Sequence, residues 1–131
     1  MVQVRRGAAV SEVRPVTVVV SSPGIFVVGG RGAVVHAEDF RLVTEGAPAR
    51  PDAFLSIFCT GLGRRATDVQ VRIAGLPAVV TYAGIAPGFE GLNQVNVRVP
   101  AEVPRGNQPL QILSGDVPSN VVEIVVSGAS R

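Results

Sequence analysis

The chain has 131 residues, 47% of them hydrophobic and 17% charged, with a formal net charge of +2. That is enough for one domain of ordinary size, and too apolar for a charge-rich disordered chain. Its 12 basic residues are all arginine and are dispersed, with one tyrosine and no tryptophan, which excludes the dense basic stripe with stacking aromatics that nucleic acid requires.

Fifteen glycines and 10 prolines are spread along the chain, as turns between short strands require, and valine dominates the apolar set. Strand signals recur and sustained helical periodicity is absent. "PVTVVVS" (15–21) is a first apolar run, broken by "SPG". "GIFVVGG" (24–30) and "GAVVHA" (32–37) flank a Gly-Gly-Arg-Gly turn. Residues 38–53 are polar and contain proline, and read as the longest loop. "FLSIFCTG" (54–61) is a strand in which either Phe54, Ser56 and Phe58 or the opposite set faces inward; periodicity does not choose. "TGLGRRATD" reads as a glycine-rich turn carrying an arginine pair.

"VQVRIAG" (69–75) alternates, with Val69, Val71 and Ile73 on one side and Gln70 and Arg72 on the other. A turn at "AGLP" leads into "AVVTYAG" (78–84) and completes a hairpin. In "QVNVRVP" (94–100), Val95, Val97 and Val99 share a face, with Gln94, Asn96 and Arg98 opposite. "QPLQILSG" (108–115) and "NVVEIVVSG" (120–128) make a last hairpin across "GDVPS". About seven to nine strands with this spacing predict an all-β, antiparallel sandwich.

The two ends are alike. Val2, Gln3 and Val4 match Leu110, Gln111 and Ile112; Gly7 matches Gly115, Ser11 matches Ser119, and Val18 to Ser21 match Ile124 to Ser127. Residues 1–21 therefore read as an N-terminal β-hairpin that closes a preceding repeat, and residues 22–131 as one module. The hairpin either caps its own domain or adds to the sheet edge of another copy. No export signal is legible, because Glu12, Arg14 and Pro15 interrupt the first apolar run, and no run is long enough to cross a membrane. The chain reads either as cytoplasmic or as a piece of a longer exported protein, with Met1, the one methionine, as its initiator.

Catalytic and metal chemistry find little support. His36 is the one histidine and Cys59 the one cysteine, so neither a two-histidine metal site nor an internal disulfide can form. A Cys59–His36 nucleophile and base pair would need both to leave predicted strands with apolar neighbours. "GGRG" (29–32) and "GLG" (61–63) precede no helix and so lack half of a phosphate cradle. Glu38, Asp39, Glu45 and Asp52 are not spaced as a calcium loop. No cofactor, metal or catalytic residue is expected. The best ligand-binding set is Phe89, Asn93, Gln94, Asn96 and Arg98, where amides and arginine would bond sugar hydroxyls and Phe89 would stack. Read structurally, Gln94, Asn96 and Arg98 are the wet side of a strand, while Asn93 shares the valines' parity and ties down the corner.

"SPGIF" (22–26), "CTGLG" (59–63), "VRIAGLPAVVTYAGIAPGFEGLNQVNVRVPAEVPRGNQPLQI" (71–112) and "GDVPSNVVEIVV" (115–126) together resemble an uncharacterised domain. That domain recurs near the C-termini of large exported proteins of Acidobacteria such as Solibacter, and is similar to the IPT/TIG branch of immunoglobulin-like folds. The likeness covers residues 22–126 and is most specific over 71–112. This chain departs from the family pattern between "PGIF" and "TGLG", where its spacer is shorter. The resemblance implies an Ig-like sandwich, a secreted or cell-surface context and a tandem arrangement, without catalytic residues. Three functions follow as expectations: a non-catalytic structural or adhesion module, a strand-exchanging self-assembling module, or a carbohydrate- or ligand-binding module. Its partners would be other domains of the same polypeptide, other copies of itself, or surface glycan, with neither nucleic acid nor membrane insertion.

Overall fold

A computed structural model describes residues 5–6, 9–10, 23–62, 68–89 and 91–127. Every regular element among them is a strand. At the N-terminus β1 (Arg5–Arg6) pairs antiparallel with β2 (Ala9–Val10). The proposed likeness of residues 2–22 to 110–128 falls largely outside the described residues.

The module itself runs through β3 (Gly24–Ile25), β4 (Val27–Val28), β5 (Arg31–Gly32), β6 (Val34–His36), β7 (Phe54–Thr60), β8 (Val69–Ile73), β9 (Leu76–Ile85), β10 (Asn93–Arg98), β11 (Gly106–Ser114), β12 (Val117–Pro118) and β13 (Val122–Val126). These are more and shorter segments than seven to nine strands. The β4–β5 hairpin turns at Gly29-Gly30, as the glycine run predicts. Nine strands form one curled sheet in the order β12-β11-β8-β9-β10-β7-β3, with β13 paired to β11 and β6 to β7. All its ladders are antiparallel.

The curl originates in β9. Its first residues, Leu76 to Ala78, pair with β8, and the rest, from Val79 to Ile85, pair with β10. One ten-residue strand thus serves two layers. Both layers turn aliphatic side chains inward: Leu55, Ile57, Cys59, Val95 and Val97 from one, Val71, Ile73, Leu110, Ile112 and Ile124 from the other. β7 accordingly buries the set Leu55, Ile57 and Cys59, while Phe54 is exposed and Phe58 half-buried.

The open side of the curl is closed by the segment read from sequence as a solvated loop. Val43 and Ala49 are buried. The Val43 amide donates to the Val34 carbonyl at 2.9 Å, and the Ala49 amide to the Val125 carbonyl at 2.8 Å. Residues 42–49 therefore link β6 to β13, satisfying backbone groups that both edges would otherwise leave open. A second tie spans the layers elsewhere. The Asn120 side chain accepts from the Ile25 amide at 2.7 Å and donates to the Ile25 carbonyl at 3.0 Å, acting like one more strand rung.

The β8–β9 connection is a two-residue turn at Ala74 (φ 54) and Gly75 (φ 77), the first half of the predicted "AGLP", whose Leu76 and Pro77 already belong to β9. Both central residues take positive φ, as a type I′ hairpin turn demands, and alanine pays a steric penalty there that asparagine largely avoids. Ala74→Asn should therefore raise stability by about 0.5–1 kcal/mol, seen as a higher urea midpoint at unchanged slope. A lower midpoint would mean that the alanine methyl's packing against the core outweighs its strain.

Candidate functional site

The chain's reactive groups are held apart or buried. His36 lies opposite Leu55 on β7, whereas Cys59 is four residues further along that strand. At about 3.3 Å per residue the two sit on the order of 13 Å apart, which removes the Cys59–His36 pair. The His36 Nε2–H donates to the Ala47 carbonyl at 2.7 Å. Cys59 is fully buried, and desolvation pushes its thiol up to about 12.

His36 opens onto a cleft of about 540 Å³, lined also by Glu38, Asp39, Arg41, Arg50 and Ser127. Its carboxylates and guanidinium groups offset one another, and no three His, Cys, Asp or Glu side chains among the described residues could together hold a metal ion.

A more organised arrangement covers the outer face of the layer built from β6, β7, β10 and the second half of β9. Register sets Ser56, Asn96 and Tyr82 in one row across three strands, and Phe58, Gln94 and Gly84 in the next. Ser56 Oγ donates to Asn96 Oδ1 at 2.7 Å, and Gln94 Nε2 donates to the same oxygen at 2.9 Å. Ser56 is only 2% exposed although it faces away from the core. Arg98 continues the face, with its guanidinium 3.1 Å from Asp52. Both partners are about half exposed, so the pair contributes little, roughly 0–1 kcal/mol.

Tyr82 reaches this face because of a β-bulge. Val80 pairs with Val97 and Tyr82 with Asn96, leaving Thr81 as the extra residue. Val80 and Ala83 both pack against the core, so the bulge reverses parity between them and sends Tyr82 outward. The phenol then donates to the Ile85 carbonyl at 2.6 Å. A Cβ placed on Gly84 would meet Tyr82 Oη at 3.1 Å and Cζ at 3.3 Å. The ring thus lies down along the strand, over the one residue without a side chain to lift it.

Of the five residues expected to bind a ligand, Gln94, Asn96 and Arg98 share the outer face. Asn93 turns toward the corner, accepting from the Leu62 amide at 3.2 Å and donating to the Gly84 carbonyl at 3.4 Å. Phe89 stands apart in the β9–β10 loop, 63% exposed. Ser56, Phe58 and Tyr82 were missed as members of this face, since their grouping depends on register. A tyrosine two residues before a glycine inside a strand was the available signal.

The fold and this face define an all-β, antiparallel, sandwich-like module with an aliphatic core and aromatic side chains outside it. Compared with known protein families and with characterised proteins, the chain matches none. No helix among the described residues is long and apolar enough to cross a membrane.

Proposed function

We propose that this chain is a non-catalytic contact module, an immunoglobulin-like unit of the IPT/TIG type that serves as a structural or adhesion segment of an exported or cell-surface bacterial protein. The observation that carries this reading is where the aromatic residues lie. Phe26, Phe40, Phe54, Tyr82 and Phe89 are 41–66% exposed and Phe58 is half-buried, so the core contains no aromatic ring. In a chain of this size aromatic side chains ordinarily supply much of the core and of any interface. Here all six are available for contact, while the thiol is shut inside.

A screen of the purified chain against ester, glycoside and peptide substrates should give no turnover. Turnover abolished by a single substitution would overturn the reading. Light scattering of the same preparation should give the monomer mass at every concentration. A mass that grows with concentration, and that returns to the monomer in a chain beginning at Ser22, would instead favour self-assembly by strand exchange.

A further inference from the structure

We infer that the outer face around Tyr82 is a binding site for a neutral glycan, in which a sugar ring stacks on Tyr82 and its hydroxyls bond to Gln94 and Asn96. The inference rests on the contact-module reading and adds to it a ligand class and a place.

Three observations converge. The first is the ring's pose: the bulge turns Tyr82 outward, Gly84 leaves room beneath it, and the phenol's bond to the Ile85 carbonyl holds it down. Held along the strand beside Gly84 and 41% exposed, the ring is open to solvent, as stacking on the C–H face of a sugar needs.

The second is the state of the amides beside it. Ser56 and the Gln94 NH2 group both donate to Asn96 Oδ1, which fixes both amide orientations. Asn96 Nδ2 and Gln94 Oε1 make no hydrogen bond among the described residues, and both side chains are partly exposed. The face thus presents one oriented donor and one oriented acceptor next to the ring. Vicinal hydroxyls, each able to donate and accept, complement such a pair. Because Gln94 and Asn96 are already held by Ser56, a ligand need not pay to order them.

The third is that neither the row of Tyr82 nor that of Gln94 holds a charged side chain among the described residues. Arg98, half exposed and paired with Asp52, lies one row away, so among the described residues a carboxylate or phosphate would find no unpaired cation beside Tyr82. Phe58 stands across Gln94 from Gly84, two strand spacings or about 10 Å away. A short oligosaccharide can lie across both rings with Gln94 between them.

The chain carries its own reporter, since Tyr82 is the sole tyrosine and there is no tryptophan. Intrinsic fluorescence of the full chain should change saturably on titration with at least one of cellohexaose, xylohexaose, mannohexaose or chitohexaose, at concentrations up to about 10 mM. Calorimetry should show at least tenfold weaker binding for Tyr82→Ala. Gly84→Ala keeps the tyrosine and both amides but lifts the ring, and should weaken binding to a similar degree with the circular dichroism of the fold unchanged. No saturable response to any neutral oligosaccharide, a response only to hexagalacturonic acid, or binding that survives both substitutions would overturn the site. Release of new reducing ends would instead overturn the non-catalytic reading, so the two failures are distinct.

Discussion

Ile57→Ala is expected to lower the stability of this protein by about 2–5 kcal/mol, a large part of the 5–15 kcal/mol typical of a domain. Ile57 lies in the middle of β7, opposite Val95 on one side and Val34 on the other, and all three are fully buried. Truncation there removes transfer free energy and leaves a cavity whose walls, belonging to paired strands on both sides, cannot easily collapse. Phe54, three residues earlier on the same strand, is the larger side chain but is 51% exposed. Phe54→Ala should cost less than about 1 kcal/mol, because no enclosed cavity forms. Urea unfolding of the two variants checks the pair. If Phe54→Ala proved the more damaging, the placement of the aliphatic set in the core would be wrong.

The second large effect is alkaline destabilisation through Cys59. Burial raises its thiol from 9.0 to about 12, so above pH 9 the unfolded chain ionises while the folded chain still holds the proton. Below pH 9 the contribution is fully present. As pH rises from 9 toward 12 the unfolded state gains, and stability falls by about 1.4 kcal/mol per pH unit. With no lysine and one tyrosine in the chain, few other side chains titrate in this window. Urea midpoints measured between pH 8.5 and 11 should therefore fall steeply in the native chain and stay nearly flat in Cys59→Ala. The same slope in both would show that another group is responsible. A thiol reagent should likewise modify Cys59 only as fast as the protein opens.

The strands that sequence made legible are those with one wet face. Val69, Val71 and Ile73 alternate with Gln70 and Arg72, and Val95 and Val97 with Gln94 and Asn96, so period two shows directly. β7 resisted such reading because its outer face carries Phe54 and Phe58, as apolar as the inner set of Leu55, Ile57 and Cys59. Residues 38–53 misled for the opposite reason. Their polar composition concealed Val43 and Ala49, whose burial depends on β6 and β13 leaving a gap for them to close.

The face around Tyr82 follows the same division. Gln94 and Asn96 could be placed on a common polar side from their own spacing. Ser56, 40 residues from Asn96 in the chain, and Tyr82, re-aimed by a bulge at Thr81, could not. By itself the sequence determined an all-β chain, its main turns and the parity of its alternating strands, because these depend on neighbours two to four residues away. The tertiary structure decided which face of β7 is inside, what closes the curl, and which side chains meet across β7, β10 and β9. Those outcomes rest on register between strands distant in the chain, where a slip of one residue would exchange the two faces.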